Sequence, residues 1–189
     1  MCAGHTRSVT ALAVWPDGKL ASGSRDTTVR VWENSACMIT LTGHTDCVTA
    51  LAVLPDGKLA SGSEDKTVRV WDQGACLLTL GGHTDCVFAL AAMPDGKLAS
   101  GSWDKTVRVW DKATCLHTMT GHTRGVNCLA VLSDGKLVSG SFDNTVRVWE
   151  DGACLLTLAG HTGLVTALVA LPDGKLVSGS WDKTVRVWC

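Results

Sequence analysis

The sequence predicts an all-β fold built from five four-stranded antiparallel units. Three observations carry that expectation: a repeat of constant length, short β-branched or apolar segments set between turn residues, and no helical periodicity anywhere. Gly-His falls at His5, His44, His83, His122 and His161, and Val-Trp at Trp32, Trp71, Trp110, Trp149 and Trp188, so both series step by 39 residues. The 20 glycines weigh further against helices, where each would cost about 1 kcal/mol relative to alanine.

In the first unit SVTALAV (8–14), KLASGS (19–24), TVRVW (28–32) and CMITLT (37–42) each read as a strand. The first two are joined by PDGK (16–19), in which Pro presets φ, Asp caps the turn and Gly takes a left-handed conformation. That hairpin recurs in all five units, with Ser133 replacing Pro once. The third and fourth strands are joined by small polar links such as ENSA, DQGA and DKAT, whose variation reads as ordinary loop drift. Such a unit buries one face on its predecessor and the other on its successor, so the units stack or close into a ring.

The chain has 189 residues, is 46% hydrophobic and 19% charged, and has a mean hydropathy of +0.17, which fits a single globular domain over 1–189. No apolar run approaches the roughly 18 residues of a membrane span. The net charge is −1 and the basic residues recur singly, so neither nucleic acid nor an anionic membrane is an expected partner. MCAGHTRSV lacks the basic region and apolar core of a secretory leader, and the expected setting is intracellular, cytoplasmic or nuclear. Nine cysteines are an odd number, and Cys37, Cys76, Cys115 and Cys154 fall in different units, so free thiols in a reducing compartment fit best. No CxxC pair is present, and neither a metal nor a cofactor is expected.

Gly-His, the hairpin, SGSxD and a closing VW with Asp or Glu resemble the WD40 repeat, in five registers that cover nearly the whole chain. The resemblance implies a β-propeller whose four-stranded blades surround a central channel, with units 4–42, 43–81, 82–120, 121–159 and 160–189. WD40 rings usually have about seven blades, within a general range of about four to eight. Five copies of the first three strands but four of the fourth leave the last blade without its outer strand. Its third strand then presents an open edge, from which either self-association or membership of a longer propeller is expected. A Cys2–Cys189 disulfide would not close the ring, because in a meander those residues sit at opposite ends of a blade, roughly 17 Å apart.

Each unit carries His, Ser and Asp, which can be read as nucleophile, base and orienting carboxylate of a hydrolase, or as a buried network ending on a Trp N–H. The resemblance supports the second reading, since these positions form a structural tetrad in WD40 blades. The implied tetrads are His5, Ser22, Asp26 and Trp32; His44, Ser61, Asp65 and Trp71; His83, Ser100, Asp104 and Trp110; His122, Ser139, Asp143 and Trp149; and His161, Ser178, Asp182 and Trp188. No GxSxG elbow accompanies any of them, and the chain is expected not to be an enzyme.

The units differ most at three further places. Before the tetrad Asp stand Arg25, Glu64, Trp103, Phe142 and Trp181; after Gly-His-Thr stand Arg7-Ser8, Asp46-Cys47, Asp85-Cys86, Arg124-Gly125 and Gly163-Leu164; past the next Val stand Thr10, Thr49, Phe88, Asn127 and Thr166. Strand alternation puts all three on one face, which in WD40 propellers is the usual partner-binding surface. The expected protein or peptide contacts are Arg7, Arg25, Asp46, Glu64, Asp85, Phe88, Trp103, Arg124, Phe142, Leu164 and Trp181. Exposed aromatics and Arg are what binding hot spots are made of, although they can also merely cover the blade ends. Trp103, Phe142 and Asp85 suggest a cage for a methylated ammonium. Assembly through the open blade edge is the alternative.

Overall fold

A computed structural model of the chain describes residues 4–188. The first sheet contains β1 (Val9–Val14), β2 (Leu20–Ser24), β3 (Val29–Glu33) and β4 (Ala36–Leu41), and the second β5 (Val48–Val53), β6 (Leu59–Ser63), β7 (Val68–Asp72) and β8 (Ala75–Leu80). The third contains β9 (Val87–Ala92), β10 (Leu98–Ser102), β11 (Val107–Asp111) and β12 (Thr114–Met119), and the fourth β13 (Val126–Val131), β14 (Leu137–Ser141), β15 (Val146–Glu150) and β16 (Ala153–Leu158). A three-stranded sheet of β17 (Val165–Ala170), β18 (Leu176–Ser180) and β19 (Val185–Trp188) completes the all-β architecture among the described residues. Each sheet is an antiparallel meander. Cys2 and Cys189 lie outside the described residues, and so does the pairing considered for them.

The turn chemistry positions the rest. In the PDGK hairpin the Gly18 N–H donates to the Trp15 carbonyl at 2.9 Å, and the Trp15 N–H donates to Lys19 at 2.9 Å. With Gly18 at φ 88°, this is a type I turn closed by a left-handed residue. The β2–β3 hairpin repeats the pattern, with Thr27 N–H donating to the Ser24 carbonyl at 3.2 Å, but its left-handed residue is Thr27 at φ 71°. Lys66, Lys105, Asn144 and Lys183 take that place in the other sheets. A non-glycine residue there costs about 1–2 kcal/mol, which the Asp just before it offsets: its carboxylate accepts from Thr28 N–H at 3.0 Å and Thr6 N–H at 2.9 Å, and its own N–H donates to Ser24 Oγ at 3.0 Å.

The link between third and fourth strands departs from the expectation of loop drift. Asn34 and Ser35 have φ of 48° and 66°, and Gln73 with Gly74 and Asp151 with Gly152 are likewise left-handed. A two-residue turn with both residues at positive φ matches the right-handed twist of its strands; in the third sheet only Lys112, at φ 51°, of the Lys112-Ala113 link is left-handed.

The first strands β1, β5, β9, β13 and β17 pack in succession. Between the first two sheets Ala21, Val29 and Leu41 meet Val48, Leu59 and Trp71. The glycine of SGS permits this approach, since a Cβ on Gly23 would lie 2.6 Å from Val48 Cγ1. At the two flanks of the succession the same residue types face water: Val9 is 50% exposed where Val48 is 0%, and Val185 is 71% exposed where Val146 is 0%.

Candidate functional site

The face that carries the Gly-His-Thr loops and the β2–β3-type hairpin tips rests on the tetrads. In the third sheet His83 Nδ1 lies 2.7 Å from Asp104 Oδ2 and Nε2 lies 2.8 Å from Ser100 Oγ, while Trp110 Nε1 donates to that oxygen at 2.8 Å. A carboxylate only accepts, so Nδ1 carries the proton, Nε2 accepts from the serine hydroxyl, and donation runs from Trp through Ser and His to Asp. The other four quartets make the same three contacts at 2.7 to 2.8 Å.

Asp104 accepts further bonds from Thr84 N–H at 3.0 Å, Thr106 N–H at 2.9 Å and Thr106 Oγ1 at 2.7 Å. Burial alone would raise its carboxyl, but the bonds from His83 and Thr106 prevail and hold it well below the usual carboxylate range. Asp26, Asp65, Asp143 and Asp182 are lowered in the same way. Ser61, Ser100, Ser139 and Ser178 have no exposed surface and Ser22 has 3%. Each Oγ is enclosed and already accepts an indole N–H.

The second serine of SGS fastens the surface to this foundation. Ser102 Oγ donates to the Asp85 carbonyl at 2.9 Å and accepts from Asp104 N–H at 3.0 Å, while Trp103 N–H donates to the Cys86 carbonyl at 2.9 Å. Trp103 therefore sits at the apex of a hairpin held at both shoulders.

Of the residues expected to meet a partner, Arg7, Arg25, Asp46, Trp103, Arg124 and Trp181 are exposed, and Glu64, Asp85, Phe88, Phe142 and Leu164 are half-buried. The structure gathers three aromatics. Phe88 stacks on Trp103 with ring centroids 5.2 Å apart, and Phe142 meets Trp103 edge-on at 5.9 Å. Of the residues suggested for a cage, Trp103 has one ring face covered by the stacked Phe88, and Asp85 caps Cys86 N–H at 2.8 Å. Gly125 makes room, since a Cβ there would lie 2.7 Å from Trp103 Cδ1.

The Phe88 position differs in role from one sheet to the next. Thr10 Oγ1 donates to the Val48 carbonyl and Thr49 Oγ1 to the Val87 carbonyl, tying neighbouring first strands together, and Asn127 Nδ2 reaches the Thr166 carbonyl at 3.4 Å. Phe88 has no donor and spends its side chain on Trp103 instead. The sequence shows variation at this position but not that the threonines serve the fold.

A further cluster escapes a search for closely spaced ligand pairs. Asp46, Cys47 and Glu64 place one donor atom each within 4.8 Å of one another, because the hairpin-tip Glu64 N–H donates to the Cys47 carbonyl at 2.9 Å. These three could offer ligands to a cation. Burial and then the nearby Glu64 raise the Cys47 thiol, and burial with Asp85 pushes Cys86 up to about 11.

The model of the family described as WD40, the WD domain or G-beta repeat, matches residues 1–33, 35–72, 74–111, 113–150 and 152–189. The chain belongs to the WD40 family. Each full family repeat takes the outer strand of one blade with the three inner strands of the next, as 35–72 does with β4 and β5 to β7. Among solved structures, the WD40 β-propeller domain of Doa1 is similar at 30% identity with a TM-score of 0.88 over 98% of this chain. The chain spans 65% of the length of that structure. No curated protein matches. The sheets are thus propeller blades, and proteins of this fold generally serve as interaction scaffolds.

Proposed function

We propose that this WD40 propeller is a noncatalytic module that captures a protein or peptide segment on its loop face, centred on Trp103 with Phe88 and Phe142. The carrying observation is that Trp103 stays 47% exposed while its backbone is pinned and its ring is braced by two others. A large aromatic already fixed loses little entropy on binding, which is what a hot-spot anchor requires. Arg25 and Arg124 lie on the same face, and Trp181, at 71% exposure, stands apart as a separate contact.

The test is selection from a displayed peptide library with the parent chain and with a Trp103→Ala, Phe142→Ala, Trp181→Ala variant of unchanged circular dichroism. Sequences enriched by the parent and lost by the variant are expected. Equal enrichment by both would place the binding surface elsewhere. Treatment with a fluorophosphonate is expected to leave all five tetrad serines unlabelled; labelling at any of them would overturn the noncatalytic reading.

Assembly is a second reading, and one observation favours it. Val9, Leu12 and Val14 at one flank, and Val185 and Val187 at the other, are 50–71% exposed, yet their counterparts inside the arc form the blade interfaces. Beside them β19 leaves an open edge among the described residues. Sedimentation velocity on the parent and on a Leu12→Glu, Val185→Glu variant decides. Association that the variant abolishes supports the reading, and a parent that stays monomeric at high concentration ends it.

A further inference from the structure

The outer strand of each complete blade carries a contact that neither the tetrads nor the loop face uses. Arg69 Nη1 donates to Cys76 Sγ at 3.5 Å, and the same pair recurs as Arg30 with Cys37 at 3.8 Å, Arg108 with Cys115 at 3.7 Å and Arg147 with Cys154 at 3.5 Å. The guanidinium is fixed in place: Arg69 lies 5.9 Å over the Trp71 ring, and a Cβ on Gly43 would come within 2.8 Å of its Nη1. Its Nε is buried without an acceptor, as are those of Arg30, Arg108 and Arg147. None of the four pairs with a carboxylate among the described residues.

Four rigid cations without counter-ions therefore each hold a cysteine sulfur as hydrogen-bond acceptor. The protonated thiol donates onward to a backbone carbonyl, Leu78 for Cys76 at 3.4 Å, and Thr79 Oγ1 stands 3.8 Å away as a second donor. Arg69 and Thr79 thus both stand within hydrogen-bond reach of the sulfur, on the side of a cation that has no carboxylate partner among the described residues. A neighbouring guanidinium and partial exposure are the conditions under which a cysteine becomes a nucleophile.

The other described cysteines lie in opposite surroundings. Cys47 and Cys86 face carboxylates, and burial pushes Cys128 up to about 12. Cys37, Cys76 and Cys154 are exposed and Cys115 is half-buried.

We propose that Cys37, Cys76, Cys115 and Cys154 form a row of modification sites for small anionic disulfides, the acidic groups of the reagent answering the unpaired arginines. The thiol proton passes to water, the sulfur attacks one sulfur of the disulfide, a mixed disulfide forms on the protein, and the other half leaves as a thiolate. The sites lie on β4, β8, β12 and β16, the edge strands of their sheets, so the adduct adds negative charge where another chain's strand would otherwise pair.

The experiment treats the full chain with glutathione disulfide at pH 7 and follows each cysteine by peptide mass spectrometry. Cys37, Cys76 and Cys154 are expected to react first, then Cys115, with Cys47, Cys86 and Cys128 slowest. Arg69→Met is expected to slow Cys76 by about tenfold while Cys37 and Cys154 in the same molecule keep their rates, which also reports that the fold survives. Arg69→Lys, which keeps the charge, should recover part of the rate. Equal rates at Cys47 and Cys76, or an Arg69→Met variant whose Cys76 reacts as fast as the parent, would overturn the proposal.

Discussion

Replacing Asp104 by Ala tests whether the tetrad is a stabilising network. Four donors converge on that carboxylate, from His83 Nδ1, Thr84 N, Thr106 N and Thr106 Oγ1. Thr84 is exposed, so its N–H turns to water, and the Thr106 hydroxyl can rotate toward another acceptor. The Thr106 N–H remains half-enclosed without a partner, while His83 Nδ1–H keeps a long contact to Thr106 Oγ1 at 3.4 Å, so the expected loss is about 1–3 kcal/mol. Urea denaturation followed by tryptophan fluorescence and by circular dichroism reads it as a lower midpoint. Asp182→Ala, in the last blade, is the comparison: Thr184, the counterpart of Thr106, is exposed, water can replace the lost acceptor, and the loss should be smaller. A change at Asp104 below about 0.5 kcal/mol, the range of ordinary surface substitutions, would refute the argument that buried donors make the network.

Three further outcomes follow from the same geometry. The five tetrad carboxyls are held below their ordinary value when folded, so their contribution is fully present above about pH 4 to 5 and declines as pH falls toward the folded-state values; denaturation at pH 7 and pH 3 should show this, with a weaker pH dependence in Asp104→Ala. Gly101→Ala should cost about 1–3 kcal/mol, because the new Cβ would stand 2.6 Å from Val126 Cγ1 of the next blade. Gly179→Ala, whose nearest neighbour would be Ala167 Cβ at 3.7 Å, should be neutral in the same measurement. Lys105→Asn, which places at φ 71° the residue type that Asn144 supplies one blade later, should raise stability by about 0.5 kcal/mol.

The blade was legible because its determinants are local and repeated: alternating apolar residues, a Pro-Asp-Gly turn, and polar residues at fixed offsets. The site was legible only in part. Residue types marked Phe88, Trp103 and Phe142 as unusual, but their contact depends on neighbouring blades approaching closely and on Gly125 leaving a gap, neither of which spacing reveals. The Thr10 position misled because a side chain that ties two strands and one that faces a partner vary alike when compared across units. The repeated Arg of TVRVW carries no signal in a comparison of units because it never varies, although its place over Trp71 and against Gly43 gives the outer rim its chemistry.

Repetition specifies the blade and leaves the extent of the arc to its neighbours. Val9 and Val48 occupy the same place in their units, and Val185 and Val146 likewise, yet one of each pair is half or more exposed and the other sealed. Each blade therefore presents a leading and a trailing face that fit one another, and a mutation's cost depends on which neighbour covers it. The Gly101 and Gly179 pair isolates this, since both sit in an SGS strand and only one has a blade beyond it. If both substitutions were equally costly, the strain would come from within the sheet, and the flanks would lose their claim to be unmatched blade interfaces.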